Sequence, residues 1–128
     1  MNNDIESIRK KQLTEIKGGF LGLLILMSLD RFGRPTYGYE IKQLIKNLSD
    51  GIVQLYDGSI YTILKRFEKY KIVESFWGKL KDEPDVIPPR KYYKLTEKGK
   101  LLLEKLLQDY DVLYKLFTKL KDWRGDRT

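Results

Sequence analysis

Six large apolar residues near the C-terminus, Leu103, Leu106, Tyr110, Leu113, Phe117 and Leu120, follow one another at alternating steps of three and four. That spacing puts them on one face of an α-helix and is the seam of a helix packed against another long helix. The helical pattern runs from Thr96 to about Trp123, roughly 28 residues and so about 42 Å. Such a rod is longer than the domain that precedes it, so part of the stripe must find a partner outside its own small domain. The expected organisation is one domain over residues 1–95 and a C-terminal dimerisation helix over residues 96–128.

With 128 residues there is room for one compact domain and an appended element, and none for a two-domain enzyme. The 25 Lys and Arg against 18 Asp and Glu leave a net charge of +7, in a chain whose 41% hydrophobic content is ample for a core. That balance points to a folded protein with a polyanionic partner. The absence of Cys and His removes disulfides, thiolate nucleophiles, thiolate or imidazole metal sites and any His-based general base. The acids are scattered, with no paired carboxylate, phosphate-binding loop or nucleophile beside a base, so no enzyme, cofactor or metal is expected. The longest strongly apolar stretch, Phe20 to Leu29, contains Gly22 and Ser28 and is too short to span a bilayer or to form a signal peptide. A soluble cytoplasmic protein without a membrane partner is the expectation.

Pro35 and the segment Pro84 to Pro89 divide the chain into three parts. In the first, Ile5, Ile8, Leu13 and Ile16, then Phe20, Leu23, Leu24 and Met27, recur at helical spacings. They predict one or two helices over about residues 4–30, with Gly18 and Gly19 as a kink or break. After a turn-like segment from Arg31 to Thr36, Ile41, Leu44, Ile45 and Leu48 predict a short amphipathic helix. Asp57-Gly58-Ser59 then offers N-cap chemistry for a third helix. Its apolar residues Ile60, Ile63, Leu64 and Phe67 share one face, which leaves Tyr61, Thr62, Lys65, Arg66 and Lys69 largely outside it. Residues 72–77 and 90–95 are rich in β-branched and aromatic side chains and flank a polar, proline-containing loop. They predict a two-stranded hairpin with a long tip.

Three helices, the last with a basic exposed face, followed by a hairpin, are the order of a winged helix-turn-helix. The expected fold is therefore mainly α with a small β-hairpin, a winged domain carrying a long C-terminal helix. The arrangement suits DNA, because a helix fits the major groove while flanking cations neutralise phosphates. Three strings sharpen this: Tyr37-Gly38-Tyr39-Glu40-Ile41, the run from Gly58 to Glu68, and the run from Arg90 to Gly99. In this order and at these separations, over about residues 20–120, the chain resembles the PadR family of transcription factors, the phenolic-acid-decarboxylase repressor type. Its single C-terminal helix is similar to the short subfamily, which includes multidrug-sensing repressors. The resemblance implies a homodimer held by the C-terminal helices and the partner's N-terminal helix, presenting two winged domains to an inverted-repeat operator on double-stranded DNA. The wing departs from many relatives in its longer tip, where Asp82, Glu83 and Asp85 stand among Lys79, Lys81 and three prolines, which counts against tip contacts with DNA.

Candidate DNA-binding residues are Tyr39, Ser59, Tyr61, Thr62, Lys65, Arg66, Lys69, Arg90 and Lys91. Tyr61 is either a half-buried tyrosine bracing its helix or a phenol that meets phosphate or a base edge. Lys65, Arg66 and Lys69 are either solvated charges or phosphate contacts, and Arg66 has the further option of pairing with Glu68 or Glu40. Arg90 and Lys91, with Lys94, suggest a backbone clamp on the second strand. Of Tyr37 and Tyr39, one is expected to pack and the other to reach a phosphate. Tyr110 stands where multidrug-sensing relatives carry a Trp flanking a ligand pore between subunits, which makes it either core or the contact for a small aromatic effector.

The leading expectation is a dimeric, sequence-specific transcriptional regulator of repressor type. The rivals are a sequence-indifferent architectural DNA coat and a protein-interaction module that keeps the fold without the groove contacts.

Overall fold

A computed structural model describes residues 2–79 and 81–125. Met1, Leu80 and residues 126–128, which include both ends of the expected units, lie outside the described residues. The chain begins with α1 (Asn2–Phe32), a single helix that runs through Gly18 and Gly19 without a break. A glycine retains its backbone N–H, so it weakens a helix by about 1 kcal/mol relative to Ala without interrupting the hydrogen-bond ladder. The two halves of α1 differ in surroundings: Ile5, Ile8 and Ile16 are exposed, whereas Ile25, Leu26, Ser28 and Leu29 are buried. By length and composition residues 3–32 could cross a membrane; here their apolar second half forms the centre of the core.

After α1 come β1 (Thr36–Tyr37), α2 (Gly38–Leu48) and α3 (Asp57–Lys69), then β2 (Val73–Gly78), β3 (Arg90–Leu95) and α4 (Glu97–Asp122). Ile41 and Ile45 of α2 and Ile60 and Leu64 of α3 are buried together against α1, as their spacing predicts. The hairpin is part of a three-stranded antiparallel sheet of order β1-β3-β2. Thr36 pairs with Tyr93 and Tyr37 with Tyr92, a two-residue strand too short to show any alternation in sequence. The result is mainly helical with one small sheet, the winged helix-turn-helix arrangement.

The capping expectation at Asp57 to Ser59 is corrected. The N-cap of α3 is Tyr56, in an extended conformation and without a side-chain cap bond. Asp57 instead lies in the first turn, where a carboxylate also suits the helix dipole, and pairs with Lys42 of α2 at 3.2 Å. The N-cap of α4 does use its side chain: the Thr96 hydroxyl accepts from the Gly99 N–H at 3.0 Å. The same residue is tied to the end of the α3–β2 turn, its N–H donating to the Ile72 carbonyl at 3.1 Å and its hydroxyl to the Lys71 carbonyl at 2.6 Å. Gly99 passes so close to this turn that a Cβ would lie 2.1 Å from the Ile72 oxygen.

Two outcomes follow from this packing. Gly99→Ala must push α4 off the Ile72 carbonyl, and the urea midpoint should report a loss of about 1–3 kcal/mol. Burial pushes the Tyr93 phenol up to about 12, with the Glu68 carboxylate and Tyr61 adding to the effect. A proton held more tightly in the folded state stabilises fully below the unfolded value near 10 and is lost as pH rises towards about 12. Urea unfolding across that alkaline range should show stability falling, and Tyr93→Phe should make the fall shallower.

Candidate nucleic-acid interface

Helix α3 buries Ile60 and Leu64 and carries two parallel stripes beside them. Tyr61, Lys65 and Glu68, at steps of four and three, face the hairpin; Thr62, Arg66 and Lys69, at the same steps, run next to them. Between the first stripe and the hairpin lies a groove of about 630 Å³, lined by Tyr37, Tyr61, Lys65, Glu68, Trp77, Arg90, Lys91 and Tyr93. The fold thus gathers Tyr61, Lys65, Arg90 and Lys91, separated by up to thirty positions in the chain, into one concavity.

Tyr61 braces its helix and remains accessible. Its ring lies over the start of α2, where a Cβ on Gly38 would sit 3.1 Å from the phenol oxygen, and the residue is still 46% exposed. Of the tyrosine pair, Tyr37 is the packed one: the Arg90 guanidinium lies 4.3 Å from its ring centroid and its ring meets that of Tyr92 edge-on at 5.8 Å. Tyr39 stacks on Tyr37 at 6.4 Å and is largely exposed at the first turn of α2.

Carboxylates divide the cations into two sets. Glu68 pairs with Lys91 at 3.3 Å and Glu40 with Arg34, so neither expected partner of Arg66 takes it. Among the described residues, Lys65, Arg66 and Lys69 form no ion pair, and all three are exposed. The Arg34 guanidinium is held above its ordinary pKa by its hydrogen bonds to Glu40. Lys94 pairs across the sheet with Glu74 at 3.3 Å and does not line the groove, so it forms no common clamp with Arg90 and Lys91. Lys94 lies four residues along β3 from Arg90, towards the core end of the hairpin, where Glu74 is its register partner. Ser59 also lies elsewhere, in a pocket beside Gly18 and Tyr56, and the Thr62 hydroxyl donates to the Gly58 carbonyl at 2.7 Å.

The wing tip folds back on its own sheet. One Glu83 oxygen accepts from the Tyr92 hydroxyl and lies 3.5 Å from Arg90. The other is buried without a hydrogen-bond partner among the described residues. Tyr92, fully buried, has its phenol pKa raised by burial first and by Glu83 second.

The seam residues of α4 separate along the helix. Leu103 is buried in its own domain and Leu106 packs at the edge of the core, whereas Leu113, Phe117 and Leu120 are each just over 60% exposed. Tyr110 stands at the transition, meeting Phe20 of α1 edge-on at 6.0 Å. With Phe20, Leu24, Met27 and Leu107 it lines an apolar groove of about 440 Å³ between α1 and α4. The groove residues that sequence reading left without a role are Trp77 and Tyr93, and Glu68 figured there only as a partner for Arg66. Trp77 stands opposite Lys91 in the hairpin register, a relation that local composition does not encode.

The Transcriptional regulator PadR-like family matches residues 25–105. A Lysinibacillus sphaericus protein described as uncharacterised is 30% identical over 95 residues, 74% of this chain and 81% of its own. A PadR family transcriptional regulator from Eggerthella lenta DSM 2243 is 27% identical, with a TM-score of 0.73 over 93% of this chain and 96% of that one. A PadR-like transcriptional regulator from Bacillus cereus strain ATCC 14579 is 29% identical, with a TM-score of 0.65 over 84% and 95% of the two chains. The matched span contains the helix-turn-helix, the hairpin and the groove between them, and the chain belongs to the PadR-like family of transcriptional regulators.

Proposed function

We propose that this chain is a homodimeric, sequence-specific repressor that binds an inverted-repeat operator in double-stranded DNA. Residues 1–95 act as the DNA-binding domain and residues 96–128 as the dimerisation helix. The observation that carries this reading is the exposed face of α3, where Lys65, Arg66 and Lys69 stand without carboxylate partners among the described residues. Cations left unpaired on a helix that fits the major groove are available to neutralise phosphates and release counterions. Tyr39, Tyr61 and Thr62 supply hydroxyls near the helix starts, and Arg90 and Lys91 add charge at the outer end of the wing's strands, although their ion pairs must open first. Both pairs are half-buried, and opening them exchanges one charge-assisted contact for another, to phosphate.

The dimer reading rests on Leu113, Phe117 and Leu120, which continue the buried seam of Leu103 and Leu106 into solvent. Covering them with a second copy would remove the apolar surface from water. The apolar groove at Tyr110 would then adjoin the subunit interface and accept a flat aromatic effector. Such binding would change the spacing of the two α3 helices and lower operator affinity.

Binding to DNA from upstream of the gene and to random duplex, with and without planar aromatic compounds, separates the readings. A regulator should prefer its own site by about a thousandfold or more; an architectural coat should bind both alike, and an interaction module neither. Lys65→Ala and Lys69→Ala should weaken both DNAs by similar factors and make the salt slope shallower by about one unit per lost contact per subunit. Leu113→Asp should raise the dimer dissociation constant by about a hundredfold or more in sedimentation, whereas a folded wild-type monomer at high concentration would remove the dimer reading.

A further inference from the structure

We propose that the wing touches DNA with the outer end of its strands rather than with its tip loop, and that Trp77 is the contacting residue, its ring on the sugar–phosphate backbone and its indole N–H donating to a phosphate. This rests on the DNA-binding reading and goes beyond it, since it assigns a neutral aromatic donor to a contact otherwise made by cations. The tip is tied down, because Glu83 accepts from the Tyr92 hydroxyl and sits against Arg90. Its exposed acids Asp82 and Asp85 would repel phosphate.

Trp77 itself is 71% exposed. Val73, Ser75 and Trp77 share one face of β2, and along it burial falls from buried to intermediate to exposed. That face leaves the core as the strand runs outward, so Trp77 contributes little to packing. It lines the groove opposite Tyr61 and Lys65 of α3 and pairs in register with Lys91. An exposed aromatic surface with a single N–H donor, flanked by Lys65 and Lys91, matches an apolar sugar followed by a charged phosphate. With α3 in the major groove, this wall of the groove would face the adjacent backbone. The contact is therefore independent of base sequence.

The protein has two tryptophans, Trp77 and Trp123, so Trp123→Phe leaves Trp77 as the sole indole reporter. Titrated with an end-labelled random duplex at about 50 mM salt, the emission of this variant should change in step with the anisotropy of the label. In the otherwise wild-type chain, Trp77→Ala should weaken the duplex about tenfold, the size expected for a hydrogen bond to a charged group, and Trp77→Phe should fall between. Because the indole releases no counterion, the loss should be the same factor at every salt concentration, unlike the loss in Lys65→Ala. Circular dichroism should show all the variants folded. An emission that stays constant while the label reports binding, an unchanged affinity in Trp77→Ala, or a salt slope shallower than wild type would each overturn the proposal. A duplex that the wild-type chain does not bind would overturn the DNA-binding reading as well, and the anisotropy arm alone identifies that case.

Discussion

The Ile72 carbonyl is where the parts of this molecule are joined. It accepts from the Thr96 N–H, and Gly99 passes over it at a distance that no side chain would permit. Lys71 and Tyr70 extend the junction, their carbonyls accepting from the Thr96 hydroxyl and the Lys98 ammonium. One short turn thus fixes the end of α3, the start of β2 and the N-terminus of α4 in a single hydrogen-bonded corner. The direction of α4 relative to α3 follows from that corner, because beyond Leu107 the helix leaves the core.

What the sequence made legible was whatever repeats. Ile41, Ile45, Ile60, Leu64 and Leu103 each fall on a face that the helical period marks, and each is buried. Elements decided by two residues or by a tertiary partner were not legible. β1 exists because Tyr37 and Thr36 find Tyr92 and Tyr93, more than fifty positions later. The Asp57 carboxylate had two outlets, an N-cap bond or Lys42, and only the approach of α2 decides for Lys42. Gly18 and Gly19 looked like a break because propensity was read without the core that holds the second half of α1.

The same limit applies to charge. A net charge of +7 says that cations are in excess and not which of them are free. Glu40, Glu68, Glu74 and Glu83 take Arg34, Lys91, Lys94 and Arg90, whereas Lys65, Arg66 and Lys69 of α3 are among the cations that no described carboxylate takes. The pairs are between residues six or more positions apart and depend on how helix, turn and hairpin meet. The candidate groove is therefore a product of the tertiary fold, although most of its residues were identifiable beforehand by type.

The α3–α4 corner also has a mechanical meaning. The 26 residues of α4 span about 39 Å at 1.5 Å per residue, and only the first turns are seated in the domain. The helix is a lever arm pivoting at Thr96, in which a tilt of about 5° at the pivot displaces the far end by about 3 Å. The arm works in both directions: small rearrangements among Leu113, Phe117 and Leu120 at one end would arrive at α3 as fractions of an ångström. On the dimeric DNA-binding reading proposed above, a corner without slack at Gly99 would let so small a domain hold α3 to the tolerance of a nucleic-acid groove while its apolar arm is gripped far away.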